Sequence, residues 1–70
     1  MLFMIKRLRM TRFERAYIRL YNGEIGAEQF AEAAGIPDKG KAWRQLCEYR
    51  RQVIAGETMD PRDKYGLWKG

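Results

Sequence analysis

From Ala27 to Arg51 the chain reads AEQFAEAAGIPDKGKAWRQLCEYRR, and the spacing of its apolar residues leaves few ways to fold. Phe30, Ala31 and Ala34 recur at helical intervals, so a helix over 27–35 presents them on one face. Gly35 permits a sharp reversal, and Ile36 is the apolar plug that follows it. Pro37 suits the start of a new helix, and Asp38 is a candidate cap or first-turn anion. Ala42, Leu46, Tyr49 and Val53 then form the inward stripe of a helix over 38–52, with Lys41, Arg44, Gln45 and Glu48 facing outward. Gly40 weakens the first turn of that helix by about 1 kcal/mol relative to Ala, while leaving room for close backbone approach. Two short amphipathic helices thus meet at a tight turn, with the cations on the second.

Upstream, Phe13, Ala16, Tyr17, Leu20 and Tyr21 share one helical stripe, which predicts a helix over 11–22. Thr11 and Glu14 have the spacing of a capping box, and Asn22-Gly23 suits a helix end. Arg12, Arg15 and Arg19 fall on or beside the opposite face, where they can pair with Glu14 or meet an anionic partner. Ile25 allows a brief extended segment. Downstream, Val53-Ile54-Ala55 and Tyr65-Gly66-Leu67-Trp68 are apolar runs of strand length, and Asp60-Pro61 between them is a turn starter. Residues 53–68 are therefore expected to form a hairpin, with an irregular tail as the alternative. Residues 1–10 suit a strand, a helix extension or a frayed arm equally.

Seventy residues make one domain with a compact core. Fourteen Lys and Arg against nine Asp and Glu give a net charge of +5, which favours an anionic partner. The single cysteine, Cys47, has no internal disulfide partner and fits a reducing compartment. The apolar opening before Lys6 is too short for a signal peptide or a membrane span, so the expected location is cytoplasmic, with no membrane partner. Catalysis finds little support: the chain has no His and no Ser, and it lacks zinc-ligand spacing and a phosphate-binding glycine loop. Asp60 and Asp63 are more simply turn formers than a metal or acid/base pair. No cofactor, metal or catalytic residue is expected.

A helix-turn-helix followed by a hairpin, with a short extended segment after the first helix, is similar to the winged helix-turn-helix fold. The local likeness is to the DNA-binding domain of biotin-operon repressors and related regulators. Ala42-Trp43-Arg44-Gln45-Leu46 resembles the apolar-Trp-basic-polar-apolar run of their recognition helix, and Lys64-Tyr65-Gly66-Leu67 resembles the element that closes their wing, with Gly and Tyr exchanged. The expected fold is thus mainly α with a small β-hairpin, a three-helix core carrying a C-terminal wing.

This resemblance implies a partner in double-stranded DNA. Lys39, Lys41, Arg44 and Gln45 are the expected base readers, with Arg44 first because its guanidinium can donate two hydrogen bonds to guanine. Arg50 and Arg51 on the helix, and Arg62 and Lys64 on the wing, are the expected contacts to the DNA backbone. Five neutralised phosphates would give a slope of log K against log salt of about −4.5. The expected function is a small sequence-specific regulator of transcription or recombination, of the phage or mobile-element type. A homodimer on a two-part site fits it, with Met1 to Ile5 as the contact. The alternative is a protein-binding winged helix, or an inhibitor of an acidic or nucleic-acid-binding partner, because one fold hosts both.

Overall fold

The computed structural model describes residues 9–69, which form four helices: α1 (Arg12–Tyr21), α2 (Ala27–Ala34), α3 (Lys39–Ile54) and α4 (Pro61–Tyr65). The arm over 1–10 falls almost wholly outside the described residues, and so does the dimer contact placed at Met1 to Ile5.

Local sequence explains where each helix starts. The Thr11 side chain accepts from the Glu14 amide at 3.0 Å, and Glu14 accepts from the Thr11 amide at 2.9 Å, closing the expected capping box on α1. At α2 the Gln29 side chain reaches back to the Gly26 amide at 2.7 Å. Asp38 caps α3 by accepting from the Lys41 amide at 3.1 Å.

All four helices stop in the same way. The amides of Gly23, Gly35, Gly56 and Gly66 each bond back three residues, and the next amide bonds back five, as in a Schellman motif. Gly35, at φ 75°, is the one that matters for the site, because it turns the chain from α2 into α3.

The core forms where α1, α2 and α3 meet, from Ala16, Tyr17, Phe30, Ala31, Ala34, Ala42 and Leu46. Phe13, Tyr49 and Tyr21 pack around it. Phe13 meets Phe30 edge-on at 5.5 Å and Tyr49 at 5.2 Å, and Tyr17 meets Tyr49 at 5.2 Å. Such aromatic pairs add to the burial of apolar area that holds a small domain together.

The expected wing is absent: no strand occurs among the described residues, either over 53–68 or at Ile25. Val53 keeps to the stripe of Ala42, Leu46 and Tyr49, so the helical period carries α3 on to Ile54, two residues past the expected end. Asp60-Pro61 acts as an N-cap and first helical residue, and α4 forms where the hairpin loop was expected. Tyr65 ends α4 and Gly66 caps it, so Leu67 and Trp68 follow as irregular chain.

Buried polar contacts dock α4 onto α1. Glu14, 8% exposed, accepts from Lys64 Nζ at 3.1 Å and from the Tyr65 hydroxyl at 2.7 Å. Asp60 accepts from the Arg62 amide at 2.8 Å and from its guanidinium at 3.2 and 3.0 Å. The same guanidinium donates to the Tyr21 carbonyl at 3.3 Å and stacks on Trp68 at 3.7 Å. No buried side-chain polar atom among the described residues lacks a hydrogen-bond partner.

Candidate nucleic-acid interface

Residues 35 to 38 form a four-residue turn with glycine at its start, the length that helix-turn-helix connections have. Arg12 on α1 fixes it. Its guanidinium donates to the Ala33 carbonyl at 3.1 Å and to the Glu32 carbonyl at 3.2 Å, capping the end of α2. It lies so close to Gly35 that a Cβ there would come within 2.9 Å of Arg12 Nη1. Sequence reasoning placed Arg12 only on an outward face, because its partners lie 20 and 21 residues away.

On the N-terminal half of α3, Lys39, Lys41, Arg44 and Gln45 are all exposed. Among the described residues none of the three cations has a carboxylate within 4.0 Å. Lys41, Arg44 and Gln45 line one side of an open groove of about 610 Å³ whose floor includes Phe13 and Tyr49. Lys39 stands around the first turn from them, beside Trp43 in a separate, smaller depression of about 280 Å³ against Ala27 and Glu28. The fold therefore gathers three of the four expected base readers on one groove and sets Lys39 apart from them in another.

The expected backbone contacts have different surroundings. Arg50 points back to the core, where it donates to the Tyr17 hydroxyl at 2.7 Å, lies 3.8 Å from Asp60 and stacks on Tyr21 at 4.7 Å. Arg51 makes two bonds to Glu48, at 3.2 and 2.7 Å, and lies 3.6 Å from Glu57. Arg62 and Lys64 sit on α4 rather than a wing, paired with Asp60 and Glu14. The carboxylates that take up these cations are Glu14, Glu48, Glu57 and Asp60. Positive charge without a partner on α3 is thereby confined to the half of the helix nearest the turn.

The two buried carboxylates titrate low. Burial alone would raise the Glu14 carboxyl, but the Thr11 amide, the Tyr65 hydroxyl and the Lys64 ammonium outweigh it and hold it below its ordinary value. Burial likewise opposes ionisation of Asp60, and the bonds from the Arg62 side chain and amide, with the charges of Arg62 and Arg50, overcome it. Both groups are charged at neutral pH, as their ion pairs require.

The described residues hold no group of three or more His, Cys, Asp or Glu placed to bind a metal ion, and Cys47 is exposed on α3. No helix among them is long and apolar enough to cross a membrane. Compared with known protein families, curated proteins and solved structures, the chain matches none.

Proposed function

We propose that this chain is a sequence-specific double-stranded DNA-binding module whose reading element is the N-terminal half of α3. One observation carries the reading: Lys39, Lys41 and Arg44 stay exposed without carboxylate partners just after a turn of helix-turn-helix length, while the cations farther along α3 are neutralised within the fold. Side chains at the start of such a helix are the ones that reach base edges in the major groove. Arg44 reads a guanine through two hydrogen bonds, Gln45 reads an adenine, and Lys39 and Lys41 hold phosphates. The biological role that fits a module of this size is a regulator of transcription or recombination, of the phage or mobile-element type, acting as a homodimer on a two-part site.

Selection of duplexes from a random library, followed by fluorescence anisotropy on the enriched sequence, tests the reading. Arg44→Ala is expected to lose about 1–3 kcal/mol on the selected site and to relax preference at one base pair. Equal losses on selected and random duplex would remove Arg44 as a reader.

A second reading, binding to a protein partner, is favoured by a separate feature. Trp43 and Ile54, 49% and 73% exposed, flank Cys47 along an apolar groove of about 460 Å³ on the other side of α3. Trp43→Ala separates the two readings: it leaves DNA affinity unchanged if this groove serves a protein, and lowers it if the groove is part of the DNA face.

A further inference from the structure

Among the described residues, Gly40 is the one glycine inside a helix. The others start or end helices, four of them at positive φ. Nothing in the fold requires it. A Cβ at Gly40 would meet only Asp38 Oδ1 at 3.4 Å and Arg44 Nη1 at 3.7 Å, both at the ends of exposed side chains, so alanine fits. Glycine at such a position weakens a helix relative to alanine, and the chain gains no packing, turn or cap in return.

The surroundings of Gly40 give it a use. It lies one turn before Arg44 on the outward row of α3, beside Lys39 and Lys41. Lys39, Lys41 and Arg44 thus stand around a stretch of backbone whose nearest side-chain atom is an oxygen of the capping Asp38 carboxylate. Glycine is the residue that lets a backbone come close to a ligand, because even a methyl group would hold the two apart.

We propose that Gly40 positions α3 on DNA: its bare backbone seats the start of the helix against the duplex and so sets how far Arg44 reaches to a base edge. The inference rests on the DNA-binding reading above. It makes Gly40 a positioning residue that trades helix stability for depth of approach.

The test pairs thermal unfolding with DNA affinity for Gly40→Ala and Gly40→Val. Gly40→Ala is expected to unfold at higher temperature, by up to about 8 °C, because the helix gains propensity. It should also bind the selected duplex on the order of tenfold more weakly, the loss expected when a bidentate base contact is pulled out of reach. Most of that loss should appear at the base pair that Arg44→Ala also relaxes. Gly40→Val should bind more weakly still.

An alanine variant that binds as tightly as the parent, with the same base preference, overturns the role of Gly40 and leaves DNA binding standing. A fall in unfolding temperature overturns it too, because the fold would then need the glycine. A parent chain that binds no duplex overturns both readings together.

Discussion

Asp60→Asn tests the buried pair that anchors α4 by changing a single side-chain heavy atom. The Asp60 and Arg62 side chains are 9% and 10% exposed, and Asp60 gathers the Arg62 amide, two guanidinium bonds from Arg62 and, at 3.8 Å, the guanidinium of Arg50. Asparagine keeps an oxygen for the cap of α4 but removes the charge and turns an N–H donor toward a guanidinium. Removing one partner of a buried pair costs about 3–5 kcal/mol, and the bond from Arg62 to Tyr21 and its stacking on Trp68 hold the loss to about 3 kcal/mol. For a domain of this size that is a fall in Tm of about 12–24 °C. Thermal unfolding followed by circular dichroism at neutral pH reads it directly. Changing Arg62→Met in the same chain should restore part of the loss, because no charge is then left buried alone. A fall below about 1 kcal/mol, or a double variant as unstable as the sum of the singles, would refute the buried pair as the anchor of α4.

Acid should have a related effect. Glu14 and Asp60 both ionise more readily in the folded chain than the value near 4 of a free carboxylate. Their stabilisation is therefore complete above that value and is lost as pH falls through the lowered folded values. Urea midpoints should decline below about pH 4, and a flat profile there would count against both ion pairs. Leu46→Ala should cost about 2–5 kcal/mol, because Leu46 is 2% exposed at the centre of the core; an unchanged thermal midpoint would contradict that position. Arg12→Ala should cost about 1–2 kcal/mol, with faster hydrogen exchange at the Gly35 and Ile36 amides; unchanged exchange would mean that the turn holds without it. Arg51→Ala should leave DNA affinity within twofold, because Glu48 and Glu57 already hold that cation; a loss matching that of Arg44→Ala would overturn the division of α3 into a reading half and a neutralised half.

The first three helices were legible because their signals are local. Thr11 and Glu14 are three residues apart, and Phe30, Ala31, Ala34 and Gly35 mark both a buried face and its end. The last third was misread because short apolar runs suit either a strand or a helix. Val53-Ile54 belongs to the end of α3, and Tyr65 to α4. Asp-Pro is equally a turn starter and the opening of a helix, and burial of Asp60 against Arg62 and Arg50 settles which it becomes. The candidate site divided in the same way. Exposure of Lys41, Arg44 and Gln45 followed from the helical period, whereas the pairing of Lys64 with Glu14, fifty residues away, depends on α4 packing against α1. Local spacing carries no trace of that contact.

Salt dependence of binding tests the central claim most directly. Only Lys39, Lys41 and Arg44 are left without carboxylate partners on α3, and with Arg44 on a base about two phosphates per chain should be neutralised, for a slope of log K against log salt of about −1.8 rather than −4.5. Anisotropy on the selected duplex across a salt series should give that shallower slope, together with a clear preference over random duplex. Binding that shows no preference for sequence, or no binding at low salt, would contradict the assignment of the N-terminal half of α3 as a DNA-reading surface.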